Sequence, residues 1–129
     1  MNNSLSGKSI VWIEDDKFLG KMVSDRIGKT GARLAIVTDG LKAFETVRAE
    51  MPDVVILDLL MSNLDGFEIL KLLKADPATK PIPVLVLSNL GQQEEIARAR
   101  ELGAARFVVK ATIGLDGIIP EIEKVISSR

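Results

Sequence analysis

The chain alternates short apolar runs with stretches whose apolar residues recur at helical spacing. Five runs stand out: Ile10–Ile13, Leu34–Val37, Val54–Leu57, Ile82–Leu87 and Phe107–Val109. Each is nearly continuous and rich in β-branched residues. Strands of that kind are covered on both faces, as in a parallel sheet flanked by helices. The intervening stretches carry apolar stripes: Leu19, Met22, Val23 and Ile27; then Leu41, Phe44 and Val47; then Phe67, Leu70 and Leu73, with Ile69 and Leu72 beside them. A sparser fourth stripe holds Ile96, Ala99 and Leu102, and the last has Ile118, Ile119, Ile122, Val125 and Ile126. Such periodicity is that of helices with one face on a core. Strand and helix alternate five times, which predicts an α/β fold with a doubly wound, five-stranded parallel sheet flanked by five helices.

Punctuation residues fall where this scheme needs them. Asp65 to Glu68 has the form of a capping box opening the third helix, and Asp39-Gly40 opens the second. Gly28 and Gly31 end the first helix, Asp76-Pro77 the third and Gly103 the fourth. Proline suits only a first helical turn, so Pro120 predicts that regular hydrogen bonding in the last helix begins between Gly117 and Ile119. No repeat, linker or low-complexity stretch interrupts the pattern. A single domain is expected over residues 1–129, with its core at about 9–126.

Composition narrows the chemistry. The 129 residues include no histidine, cysteine or tyrosine, which excludes Ser-His-Asp and Cys-His triads, His/Cys zinc sites and disulfides. Reactions must run on carboxylates, lysine, hydroxyls and backbone groups. Lys and Arg number 17 against 18 Asp and Glu, without a basic block, so direct nucleic-acid binding is not expected. No apolar run approaches the ~18–20 residues of a membrane span, and Met1 to Lys8 is polar, so the expected location is cytoplasmic, off the membrane.

In an open α/β sheet, ligands bind beyond the carboxyl ends of the strands. The residues there are Glu14, Asp15 and Asp16 after the first run, Asp58 after the third, Ser88 after the fourth and Lys110 after the fifth. Asp58 lies within Val54–Met61, the most apolar stretch of the chain, where an unpaired charge is costly. Clustered carboxylates repel unless a cation sits among them, and a hard divalent ion such as Mg²⁺ suits oxygen ligands while leaving room for phosphate. Metal, ammonium and hydroxyl together would clamp a phosphoryl group, with an aspartate as nucleophile. Each residue also has an ordinary reading. An acid after a strand is commonly a helix N-cap, which suits Asp16 and Asp65, whereas serine caps turns and lysine is solvated. Convergence at four strand ends raises the functional reading above these.

These residues resemble a response-regulator receiver domain over residues 9–126, which implies the (βα)5 flavodoxin-like fold. Ile10 to Asp16 is similar to the family's first strand and acidic pair, here Glu14 and Asp15. Asp53 to Gly66 resembles the phospho-acceptor segment with Asp58 as acceptor, Val84 to Ser88 the strand ending in a Ser/Thr switch, and Gly103 to Lys110 the last strand with its lysine. The separations of 43 residues from Asp15 to Asp58, 30 from Asp58 to Ser88 and 22 from Ser88 to Lys110 suit the family.

The resemblance implies that a histidine kinase or histidine phosphotransfer protein donates a phosphoryl group to Asp58. It implies Mg²⁺ (or Mn²⁺) held by Asp15, Asp58 and the backbone carbonyl of Leu60, with Glu14 acting through water. Lys110 would pair with the phosphoryl group, Ser88 would move to hydrogen-bond it, and Phe107 would rotate inward. The face of the fourth helix, last strand and last helix would signal to a downstream protein partner or effector domain. Such a chain is a signalling domain that assists only its own phosphorylation and dephosphorylation. With no histidine of its own, its donor must be another domain or molecule. Two positions depart from the family: Ala111 follows Lys110 where proline is usual, and Ser62 stands where proline usually follows the acceptor by four. An aspartate-nucleophile phosphatase of the haloacid-dehalogenase type would need an acid at Leu60, and a flavodoxin-like nucleotide binder would need a glycine-rich loop after the first strand. A receiver-like scaffold working without phosphorylation would not need the full set of Glu14, Asp15, Asp58, Ser88 and Lys110.

Overall fold

The structure, a computed structural model, describes residues 5–59, 65–88 and 92–128. Five strands, β1 (Ser9–Ile13), β2 (Arg33–Val37), β3 (Val54–Asp58), β4 (Val84–Ser88) and β5 (Arg106–Val109), alternate with helices α1 (Lys17–Gly28), α2 (Ala43–Glu50), α3 (Gly66–Ala75), α4 (Gln93–Glu101) and α5 (Lys110–Ser127). The strands form one parallel sheet in the order β2-β1-β3-β4-β5. The expected α/β architecture is therefore the observed one. The chain runs from β1 outward to β2 and returns to β3 on the other side of β1, so the topological switch point lies between β1 and β3.

Successive side chains of a strand point to opposite faces, and the sheet sorts its apolar residues accordingly. Val11, Ile13, Val55, Leu57, Val84 and Val86 pack with Ala43 and Val47 of α2, Phe67, Leu70 and Leu73 of α3, and Ala99 of α4. Ile10, Trp12, Val54, Ile56, Leu85 and Leu87 pack on the other face with Val23 and Ile27 of α1 and Ile118, Ile122 and Val125 of α5. Strands β1, β3 and β4 are buried throughout, whereas the edge strands β2 and β5 are covered only in part. Among the described residues, no helix is long and apolar enough to cross a membrane.

Helix starts follow their caps. The Asp16 side chain accepts from the N–H groups of Phe18 and Leu19 at 3.0 and 3.1 Å, and Asp65 accepts from Phe67 N–H at 2.9 Å. Asp39 caps a single 3-10 turn, Gly40–Lys42, and α2 begins only at Ala43. Leu41 is consequently exposed, as is Met22 on α1, so both stripes are narrower than their spacing suggests.

The last helix departs from expectation. Helical structure starts at Lys110, directly after β5, and is broken at Gly114, whose φ of 64° and ψ of −177° are outside the helical region. Pro120 then sits inside the longer segment. Its missing N–H leaves the Asp116 carbonyl without a helical donor, and both residues face solvent, where that carbonyl can be hydrated. A left-handed glycine, and not the proline, marks where the main part of α5 begins.

Gly66 at the start of α3 lies against the end of β3. A Cβ there would be 2.7 Å from Leu59 Cα and 3.1 Å from the Asp58 carbonyl oxygen, both backbone atoms with little room to give. Gly66→Ala is expected to cost about 1–3 kcal/mol, as overpacking does. Urea unfolding checks this, and an unchanged midpoint would contradict it.

Candidate functional site

The switch point places the ends of β1 and β3 side by side. Glu14 follows β1 and is fixed by its N–H, which donates to the Val37 carbonyl at 2.8 Å. Asp58 is the last residue of β3, and the next N–H, from Leu59, donates to Leu87 O at 3.0 Å. Both positions continue the alternation that puts Trp12 and Ile56 on the α1/α5 face. Lys110 opens α5 on that same side, lining with Trp12, Leu19, Met22, Gly114 and Ile118 a cavity of about 190 Å³.

Lys110 Nζ lies 2.6 Å from Asp58 Oδ2 and 3.3 Å from Glu14 Oε1. The two acids are each 2% exposed, so the pairing is formed almost out of water. Removing a carboxylate from water costs several kcal/mol unless a partner compensates, and here one ammonium serves two carboxyl groups. The compensation is incomplete at Glu14. Burial, then hydrogen bonding to Asp58 and the charge of Asp58, raise its pKa to about 7 against the pull of Lys110. At Lys110 burial opposes the charge, but Asp58 and Glu14 outweigh it and hold the ammonium above its ordinary value.

Of the other predicted residues, Asp15 is half-buried between Glu14 and the α1 cap Asp16. Ser88, 3% exposed at the end of β4, is on the opposite parity, that of Val84 and Val86, and its hydroxyl donates to Glu95 Oε1 of α4 at 2.9 Å. Phe107 is half-buried on this second face and lines a groove of about 280 Å³ with Ile96, Arg100 and Val109. Leu60 and Ser62 lie outside the described residues. Glu95 was not among the predicted site residues; its one sequence signal is a glutamate in the first turn of the helix that follows Ser88. Directly after Lys110, the position usually held by proline is Ala111, and the chain there is helical, with no cis peptide bond among the described residues.

Among the described residues, no three acidic side chains converge into a metal cage. Mg²⁺ does not require one, since it is commonly held by one or two carboxylates with water and phosphate oxygens. The donors at this edge are all hard oxygens. Glu14 and Asp58 bring two carboxyl groups to the one ammonium of Lys110. The donor set therefore fits a hard divalent cation.

The family model of the response regulator receiver domain matches residues 10–120. The chain belongs to this family. The chemotaxis protein CheY of Thermotoga maritima is 34% identical to it over 106 residues, 81% of this chain and 86% of that protein. The non-phosphorylated HemR receiver domain of Leptospira biflexa superposes with a TM-score of 0.84 at 29% identity, covering 93% of this chain and 94% of that one. The receiver domain of the sensor histidine kinase PA1611 of Pseudomonas aeruginosa PAO1 shares the fold, with a TM-score of 0.83 at 18% identity over 95% of this chain and 99% of that one. Other relatives are longer: the match spans 39% of the probable transcriptional regulator ycf27 of Guillardia theta. Receiver domains are signalling domains of two-component systems, and this receiver has the (βα)5 flavodoxin-like fold that the resemblance implied.

The Glu14 carboxyl generates a pH dependence. Its folded pKa of about 7 lies above the ordinary 4.5, so the folded state holds the extra proton between these values. The associated stability is fully present below the unfolded pKa and is lost as pH rises through about 7. In metal-free buffer the receiver should lose more stability between pH 5 and pH 8 than Glu14→Gln does, by on the order of 1–3 kcal/mol. Urea unfolding of both proteins at the two pH values measures the difference, and parallel losses would contradict the assignment.

Proposed function

We propose that this receiver accepts a phosphoryl group on Asp58 from a phosphohistidine of a histidine kinase or phosphotransfer protein, in a Mg²⁺-dependent reaction (or with Mn²⁺). The observation that carries the reading is the buried contact of 2.6 Å between Asp58 Oδ2 and Lys110 Nζ, with Glu14 on the same ammonium. A carboxylate oxygen of Asp58 attacks phosphorus, the P–N bond breaks, and the imidazole leaves with its electron pair. The product is an acyl phosphate, so no redox partner is needed. Lys110 then has more negative charge to balance, and its position between the strand ends keeps it on the incoming oxygens. Glu14 and Asp15, with Asp58 and the Leu60 carbonyl, would hold the metal, Glu14 through water. When bound, the cation supplies charge neutralisation of the phosphoryl oxygens. That chemistry is supported by the PA1611 receiver, which has a magnesium ion coordinated in its active site cleft.

Ser88 donates its hydroxyl proton to a phosphoryl oxygen, and Phe107 turns inward on the same face of the sheet. The surface of α4, β5 and α5 then changes shape and signals to a downstream protein partner or an effector domain, a two-state equilibrium biased by one anion. In this reading residues 1–129 form a single receiver domain with its core at about 9–126, located in the cytoplasm, without direct contact to nucleic acid or membrane. It is a signalling domain whose only catalysis is of its own phosphorylation and dephosphorylation.

Incubation with acetyl phosphate and Mg²⁺, followed by intact mass, should show the gain of one phosphoryl group, trappable by borohydride. Asp58→Asn should lose the adduct, and Lys110→Met should slow its formation by about tenfold or more. An adduct missing from the native protein, or persisting in Asp58→Asn, would contradict the reading.

A further inference from the structure

The Ser88 hydroxyl is engaged on the α4 side of the sheet. Ser88 Oγ donates to Glu95 Oε1 at 2.9 Å, joining the end of β4 to the first turn of α4 across residues 89–91. A serine hydroxyl carries a single proton. Donated to Glu95, that proton is not available to a phosphoryl oxygen on Asp58. We infer that Glu95 is a positioning residue that holds Ser88 away from the phosphoryl group and holds α4 against the sheet, a latch that phosphorylation must open. This inference rests on the reading of Asp58 as acceptor and Ser88 as phosphoryl ligand.

Three features of α4 make the contact consequential. A carboxylate acceptor gives a stronger hydrogen bond than a neutral one. Among the described residues of α4 only Ala99 is buried, so little apolar packing anchors the helix. Gln92 provides no side-chain cap, and a further tie, Arg98 stacked over the Phe67 ring at 4.4 Å, lies one turn further on. The Ser88–Glu95 bond therefore governs the first turn of α4. Redirecting the serine hydrogen bond from Glu95 to a phosphoryl oxygen frees that turn, which borders the groove of Ile96, Arg100 and Phe107. Site chemistry on one face of the sheet is thereby coupled to a helix on the other.

The test is the initial rate of phosphoryl-adduct formation from acetyl phosphate and Mg²⁺, read by intact mass. Glu95→Gln keeps the shape but not the charge, and Glu95→Asp keeps the charge but retracts the carboxyl by one methylene. Both should accelerate the native rate by about threefold or more, because a larger fraction of molecules has the Ser88 hydroxyl released from residue 95. In a Ser88→Ala background neither substitution should change the rate. Unaltered or slower rates in both single variants would overturn the latch, as would equal acceleration with and without Ser88, which would assign the effect to charge alone. Absence of any adduct on the native protein would instead overturn the phospho-acceptor reading on which the latch stands.

Discussion

Two buried carboxyl groups share one ammonium at the carboxyl edge of the sheet, and the local architecture follows from that need. Glu14 and Asp58 are nearly inaccessible to water, and a lone buried carboxylate would be driven to protonate or to disrupt the strand end that carries it. A parallel sheet solves the problem by geometry. All five carboxyl ends lie along one edge, so a lysine following β5 meets an acid just after β1 and another at the end of β3 although the three are far apart in sequence. One ammonium faces two acids, and burial together with the neighbouring Asp58 raises the Glu14 pKa to about 7.

The alternation of strand side chains divides the labour. Glu14 and Asp58 follow the α1/α5 parity, with Lys110 beside them. Ser88 and Phe107 follow the parity of α2, α3 and α4. The sheet thus sets the charged cluster and the Ser88 hydroxyl on opposite parities. That hydroxyl is already engaged with α4, the helix with the least buried apolar surface. A lightly anchored element is the one that a single hydrogen bond can bias.

Much of this was legible in the sequence because two periodicities carry the fold. The continuous runs at Ile10, Val54 and Val84 marked the central strands, and Asp16 and Asp65 marked the caps, since local chemistry decides both. The carboxyl-end rule then brought Glu14, Asp58 and Lys110 together. Spacing alone misjudged Met22 and Leu41, which lie at the margin of their stripes and face solvent. It also misjudged the start of α5, where the left-handed Gly114 outweighs the proline that follows. Glu95 escaped because its partner, Ser88, belongs to a different element: a pair of polar residues has no period to betray it.

Lys110 and Asp58 form an energetically coupled buried pair, which a double-mutant cycle tests most directly. Unfolding free energies of the native protein, Asp58→Asn, Lys110→Met and the double variant, in metal-free buffer, give the interaction term. A coupling of at least about 1 kcal/mol favouring the native pair is predicted, as for groups in one buried network. Additive effects of the two substitutions would contradict the account.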